Sequence, residues 1–302
     1  MWDELLKKIV QGDYKSLARG ISLLENEVPG HEEFLQQLAT STTQVIGITG
    51  APGAGKSTLV DALISHWVEE NKKVAVLCVD PSSPFNLGAL LGDRIRMTEW
   101  YNHPNVYIRS LANRGSLGGL HPQIIEITTL LQAAKFDHII VETVGVGQTE
   151  IEIVGLADVT VVVVVPEAGD EVQTMKAGLM EIADIFVVNK SDRPDADIFV
   201  KNLRLMLAPA YSRNKDIPIL KTVASQRKGI AELANKIQAV SSQAVKSEKK
   251  SWLMAERVYQ LIQRKKMSLI HKNDIKKAIE AVADHHDFNL FKFAKEYLNE
   301  SK

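Results

Sequence analysis

One stretch limits what this chain can fold into. Val45-Ile46-Gly47-Ile48-Thr49 is a short apolar run of β type, Gly50-Ala51-Pro52-Gly53-Ala54-Gly55 is a glycine-rich turn, and Lys56-Ser57-Thr58 opens the segment that follows. In that segment Leu59, Val60, Leu63, Ile64 and Trp67 recur at helical spacing, so the stretch reads strand, tight loop, helix. The pattern G-x-x-x-x-G-K-[ST] is met from Gly50 to Ser57 in the context it requires. Glycines let successive backbone N–H groups turn inward around phosphate oxygens, which bulkier side chains would obstruct. The helix N-terminus adds partial positive charge, Lys56 can reach a β- or γ-phosphate, and the Ser57 hydroxyl can ligate Mg²⁺. A glycine-rich turn can be no more than a tight connection, but the Lys-Ser pair at the helix start makes this one a phosphate cradle.

Composition sets the outer limits. With 302 residues, 45% hydrophobic and 24% charged, the chain can bury a large core as one large domain or two. A formal net charge of −1 provides no basic field, so neither nucleic acid nor an anionic membrane is expected as a partner. Cys78 is the one cysteine and lies inside the apolar run Val74 to Val79, which reads as a buried strand residue and excludes an internal disulfide framework. The longest apolar runs, such as Val159 to Val165, are far too short to span a bilayer. Met1-Trp2-Asp3-Glu4-Leu5-Leu6-Lys7-Lys8 has neither a signal-peptide nor a transit-peptide pattern. A soluble, cytoplasmic protein is expected.

Along the chain, residues 1–40 read as a helical extension. Leu5, Leu6, Ile9 and Val10 are expected to form one apolar face, followed by Leu17, Ile21, Leu23 and Leu24, and then Phe34, Leu35 and Leu38 after Pro29-Gly30. From 41 to 240, strand patterns alternate with helical ones, which predicts an α/β fold with a mostly parallel central sheet flanked by helices. The strands are expected at Val45–Thr49, Val74–Val79, Val106–Ile108, His138–Glu142, Val159–Val165, Ile185–Val188 and Ile217–Thr222. Open α/β sheets bind ligands at the carboxyl ends of their strands, where Asp80, Glu142 and Asn189 each close a run. Residues 241–302 begin in a polar, charged stretch and continue with helical patterns that carry Trp252, Leu253, Val258, Leu261 and Ile262, too apolar for a disordered tail. A docked arm or a dimerisation element fits them.

Asn189-Lys190-Ser191-Asp192 is an N-K-x-D sequence directly after the strand Ile185-Phe186-Val187-Val188. A carboxylate such as that of Asp192 can accept from the N1–H and exocyclic amine of guanine, a donor pair that adenine does not present. The Lys190 stem can cover the base, and Asn189 can tie the motif to the phosphate loop. Val223, Ala224 and Ser225, after the next strand, could offer backbone N–H groups to guanine O6. For Mg²⁺ the oxygen donors are Ser57, Asp80, Asp93 and Glu142, since Mg²⁺ needs only one or two carboxylates beside phosphate oxygens and water. Glu142 stands where a Walker-B acid should, and Gly145, close behind it, could sense a γ-phosphate through its N–H. The loop and helix from Glu167 to Lys176 put Gln173 and Lys176 on a polar face, which the residues alone leave as a solvated face.

Taken in order, G-A-P-G-A-G-K-S-T, V-D-P-S-S-P, L-G-D-R-I-R-M, V-E-T-V-G-V-G-Q-T-E, G-D-E-V-Q-T-M-K-A-G-L-M-E-I-A-D and V-V-N-K-S-D resemble the MeaB/ArgK/MMAA family of GTPases over roughly residues 40 to 240. The fourth segment is far more specific than the phosphate loop. The resemblance implies that Lys56 and Ser57 hold phosphate and Mg²⁺, and that Asp80, Asp93 and Glu142 form an acidic metal group. It implies that Asn189, Lys190 and Asp192 select guanine, and that Gln173 and Lys176 lie in a nucleotide-dependent switch that signals to a partner. It further implies a G-protein chaperone that gates cofactor loading into an adenosylcobalamin-dependent acyl-CoA mutase. GTP and GDP with Mg²⁺ would be its ligands, and a homodimer formed through the C-terminal arm its assembly.

Slow intrinsic hydrolysis, accelerated by the partner, goes with that reading. No glutamine directly follows Gly145, and Gln148 is displaced, so a partner-induced movement could complete the site, with Lys176 as a mobile charge. Two other activities compete. A metal-insertion GTPase would need a soft Cys/His cluster, which a single cysteine cannot build. A P-loop kinase would need an acceptor pocket and a lid rich in arginine, and no insertion here resembles one. Asp284-His285-His286-Asp287 departs from the cobalamin D-x-H-x-x-G pattern at Asn289, so the cobalamin is expected to sit in the mutase.

Overall fold

Valine- and isoleucine-rich runs without polar alternation need cover on both faces, and the fold supplies it. The structure, a computed structural model, describes residues 1–39, 41–80, 97–113, 120–143, 149–166, 182–211, 217–244, 248–268, 270–282 and 288–300. They form two units, 1–253 and 254–302. In the first, seven strands make one sheet: β1 (Val45–Thr49), β2 (Val74–Asp80), β3 (Val106–Ala112), β4 (His138–Thr143), β5 (Val159–Val164), β6 (Ile185–Val188) and β7 (Ile219–Lys221). Their order is β3-β2-β4-β1-β5-β6-β7 and every pairing is parallel. The α/β expectation holds. β3 runs four residues past the expected end, and β7 is shorter than the Ile217–Thr222 run.

Strand β1 lies between β4 and β5. The chain leaves it toward β2 and β3 on one side and later crosses from β4 to β5 on the other, so the strand order reverses at β1, where such sheets form a crevice at the carboxyl end. The helix after it, α4 (Lys56–Glu69), buries Leu59, Val60, Leu63, Ile64 and Trp67 against Ile48, Val76, Cys78, Ile140 and Val161 of the sheet. Each such side chain contributes about 1.5–3 kcal/mol, which fixes the helix rigidly over the strands.

The other face is covered partly by the N-terminal helices α1 (Trp2–Val10), α2 (Tyr14–Glu25) and α3 (His31–Gln36). Leu5, Ile9, Leu17, Ile21, Leu24 and Phe34 share a core with Leu77, Val79 and Val141 of the strands. They share it also with α5 (Ile124–Ala133) and α6 (Thr149–Leu156). Arg109 of β3 donates to Glu25 at 2.5 Å and to Ser22 at 3.1 Å, and Gln123 donates to Glu27 at 2.8 Å. Val10 departs from the expected apolar face, being 38% exposed where Leu5 and Ile9 are buried. The 100° step per residue puts position 10 beyond the edge of the stripe set by 5 and 9. A third core joins Val162, Phe186 and Val188 to Phe199, Leu203 and Leu207 of α7 (Ala196–Tyr211).

Helix α8 (Ile230–Ala244) adds Leu233 and Ile237 to the core beneath α4. Beyond it come α9 (Glu248–Met267), α10 (Lys272–Glu280) and α11 (Leu290–Glu300). In the second unit Phe293 stands 5.8 Å from Phe288 and 5.9 Å from Tyr297, ring centre to ring centre, while Val258, Tyr259, Ile262, Leu290 and Phe291 are exposed. Among the described residues no helix is long and apolar enough to cross a membrane.

Candidate functional site

The loop between β1 and α4 has two glycines that nothing else could replace. Gly50 has φ +141° and the carbonyl oxygen of Val163 occupies the place of any Cβ. Gly55 has φ +87°, and a Cβ there would stand 2.5 Å from Asn189 Nδ2. Both the conformation and the space demand glycine. Ala51, Pro52, Gly53 and Thr58 are exposed on the rim, whereas Ala54, Lys56 and Ser57 are buried.

Polar contacts of Lys56 and Ser57 help to hold the loop. Lys56 Nζ donates to the carbonyls of Gly50 at 2.8 Å and Ala51 at 3.0 Å, so the ammonium is folded over the loop that it serves. Ser57 Oγ donates to Glu142 Oε1 at 2.7 Å. Ser57 opens the helix and Glu142 is the penultimate residue of the adjoining strand, and parallel pairing aligns Ile48 of β1 with Glu142 of β4. On β2, Cys78 pairs with Glu142, which puts Asp80 on the same sheet face about 6–7 Å further toward the carboxyl end. Asp80 and Glu142 are each 4% exposed. Two buried carboxylates and a hydroxyl, all hard oxygen donors, fit Mg²⁺ rather than a soft ion. Among the described residues no group of three or more His, Cys, Asp or Glu is arranged to hold a metal. Asp93 lies outside those residues, and Cys78 is buried in β2.

On the base side, Asn189 joins three loops. Its Nδ2 donates to the Ala54 carbonyl at 3.0 Å. Its Oδ1 accepts from Thr222 Oγ1 and from Ala224 N–H, each at 3.1 Å. Ser191 N–H donates to the Thr222 carbonyl at 3.0 Å. Lys190 takes φ +55°, and Asp192 is exposed beside it. The geometry narrows one expectation. Val223 N–H is bonded to the Lys228 carbonyl and Ala224 N–H to Asn189, so neither is open to guanine O6 in this arrangement, while Ser225 is exposed on the same turn.

The structure thus gathers Gly50 to Thr58, Asp80, Glu142, Asn189, Lys190, Asp192 and the 223–225 turn at one end of one sheet. Gly145, Gln173, Lys176 and the Asp284–Asp287 cluster lie outside the described residues. Sequence reasoning missed Thr222, whose hydroxyl orients Asn189, and the pair Thr49 and Thr143, bonded hydroxyl to hydroxyl at 2.9 Å. A threonine closing each strand run was the available signal, but which strands are neighbours decides its meaning.

Comparison with known proteins agrees with this geometry. A family model described as "Methylmalonyl Co-A mutase-associated GTPase MeaB" matches residues 17–283. A Pyrococcus abyssi relative bearing a GTPase name is 48% identical over 244 residues, 79% of this chain and 75% of that one. A mitochondrial methylmalonic aciduria type A homolog of Caenorhabditis briggsae is 37% identical over 205 residues, 62% of this chain and 50% of that one. A crystal structure described as a "LAO/AO transport system kinase" superposes with a TM-score of 0.70 at 26% identity. It covers 98% of this chain and 95% of its own.

Proposed function

The chain belongs to the MeaB family of GTPases, and from that premise we propose that it is a G-protein chaperone for an adenosylcobalamin-dependent acyl-CoA mutase. It gates cofactor loading into an enzyme of the methylmalonyl-CoA mutase type. The observation that carries the switch reading is the Asn189 junction, in which one side chain ties the phosphate loop to both base-side loops. A guanine held by Asp192 and a phosphate held at Gly50–Ser57 would therefore be sensed by one connected frame. The mutase reading is supported by the words attached to the matching family and to the C. briggsae relative.

Each residue has a part in converting GTP and water to GDP and phosphate. Backbone N–H groups of the loop and the α4 N-terminus bind phosphate oxygens, and Lys56 moves from the Gly50 and Ala51 carbonyls onto the β- and γ-phosphates. Ser57, Asp80 and Glu142, with Asp93, would hold Mg²⁺, which would supply neutralisation of phosphate charge. Glu142 keeps the Ser57 oxygen aimed at that place. Gly145 would sense the γ-phosphate. Gln173 and Lys176 would complete the site when the mutase binds, so that intrinsic turnover is slow and the partner speeds it. Self-association through the exposed apolar side chains of α9 and α11 would give a homodimer, and the cytoplasm is the location that fits.

The test is calorimetry with GDP, GTP and ATP in Mg²⁺, followed by phosphate release with and without a purified mutase. Guanine-selective uptake and turnover raised about tenfold or more by the mutase are expected. Unchanged turnover, and no capture of the mutase under either GDP or a GTP analogue, would remove the chaperone role while leaving the GTPase. The kinase name on the superposed structure favours a second reading, tested in the same assay. Label passing from GTP to an acceptor rather than to free phosphate would establish it.

A further inference from the structure

Side chains alternate along a strand, so Glu142 and Thr143 leave β4 on opposite faces. Glu142 meets Ser57. Thr143 points the other way, and its hydroxyl donates to Thr49 Oγ1 at 2.9 Å. Both threonines are enclosed, Thr49 at 0% and Thr143 at 1% exposure. Their places in the chain give this bond its interest. Thr49 directly precedes Gly50, where the phosphate loop begins, and Thr143 directly follows the candidate metal carboxylate.

Among the described residues, the backbone ladder between β1 and β4 runs from Val45↔Ile139 to Ile48↔Glu142. On its other side β1 continues one residue further, with Thr49 paired to Val162 of β5. The Thr143–Thr49 hydroxyl bond thus lies one residue beyond the last described β1–β4 pair, at the level of the nucleotide crevice. We propose that Thr143 is a positioning residue for GTP hydrolysis: anchored on Thr49, its hydroxyl sets the height of Glu142 against the phosphate loop and so keeps the carboxylate within reach of Ser57. The proposal rests on Ser57 and Glu142 being the metal-side pair.

A buried hydroxyl pair could equally serve stability alone, and the two roles separate experimentally. Phosphate release by the full chain is measured at saturating GTP across a Mg²⁺ titration, with thermal unfolding in parallel, for Thr143→Val, Thr143→Ser and the double variant Thr49→Val/Thr143→Val. Valine keeps the β-branched shape but strands the Thr49 hydroxyl, whereas the double variant removes both partners and with them the unsatisfied group. For Thr143→Val, kcat is expected to fall about tenfold with the KM for GTP within about twofold, and half-activation to need more Mg²⁺. Thr143→Ser should stay within about twofold of the natural chain. The deciding variant is the double one, in which the unfolding temperature should recover while kcat stays low.

Recovery of kcat along with stability, or a Thr143→Val variant with natural kcat, would overturn the proposal. Glu142→Gln, assayed beside them, keeps the two ideas apart. Undiminished turnover in that variant would instead strike down the metal-side reading of Ser57 and Glu142.

Discussion

Helix α4 and strand β4 touch at both ends, and the two contacts are opposite in kind. At the carboxyl end of β4, Ser57 donates to Glu142 at 2.7 Å. At its amino end, Trp67 stacks on His138 with ring centres 4.0 Å apart and planes 14° apart. The stack belongs to an apolar cluster that includes Leu63, Ile64 and Ile140, and no polar ligand would gain by entering it. The hydroxyl–carboxylate contact can exchange partners when a cation or phosphate arrives. One helix is thus fixed at its last turn and adaptable at its first, which suits a protein that must keep its fold while reading the nucleotide.

The sharpest way to break that contrast is at the adaptable end. Lys56→Ala removes the charge that the phosphate loop presents, and GTP turnover is expected to fall about 10³-fold. Because the described bonds of the Nζ go to carbonyls of its own loop, the unfolding temperature should move little. Phosphate release and calorimetric unfolding on one preparation check both halves. A large loss of stability would mean that the two ends of α4 are not separable.

Trp67→Ala attacks the fixed end. The indole is 3% exposed, and replacing a buried tryptophan by alanine costs about 3–5 kcal/mol. Denaturant unfolding should show that loss, while kcat measured well below the transition stays within about threefold of the natural value. On the free-energy scale this is close to the Lys56 effect, but it lands on the fold and not on the chemistry.

How much of this was readable beforehand follows the same division. Gly50 to Ser57, Glu142 and Asn189 were legible because each sits at a fixed offset from an apolar strand, and offset along the chain survives into the structure. The burial of Leu59 to Trp67 was legible from period alone. What stayed hidden depended on which strands are neighbours. Thr49 and Thr143 are 94 residues apart in sequence, and their bond exists only because β4 lies beside β1. Thr222 orienting Asn189, and Ala224 N–H being taken by Asn189 and so withdrawn from the base, are likewise facts of register. Val10 went wrong for a simpler reason: a hydrophobic residue one step off the stripe looks like part of it until the partner surface is known.

A smaller effect is expected on the base side. Asp192→Asn replaces a charged acceptor with a neutral amide that presents one acceptor oxygen and one unwanted donor. The preference for GTP over ATP should shrink about 10- to 100-fold, or 1.4–2.8 kcal/mol, as read by competition binding in Mg²⁺. Since Asp192 is exposed, unfolding should not change. A variant that keeps its guanine preference would shift recognition to the 223–225 turn, where Ser225 is exposed.

The least expected effect lies at the stack and is a matter of pH. Burial pushes the His138 imidazole down to about 4 from 6.5, because the charged ring is desolvated against Trp67. Between those values the unfolded chain takes up a proton that the folded chain refuses, so the contribution is fully present above about pH 6.5 and is lost as pH falls toward 4. His138→Phe keeps an aromatic ring on Trp67 but cannot titrate. Within this window the variant should therefore lose stability less steeply with acid than the natural chain. The difference near pH 4.5 should be on the order of 1–2 kcal/mol, discounted for the ring's partial exposure. Turnover at pH 7.5 should be unaltered, since the ring is at the far end of the strand from Glu142. Parallel unfolding profiles for the two proteins from pH 8 to 4.5 would mean that His138 accepts its proton while stacked, and the amino end of β4 would then be less dry than its packing indicates.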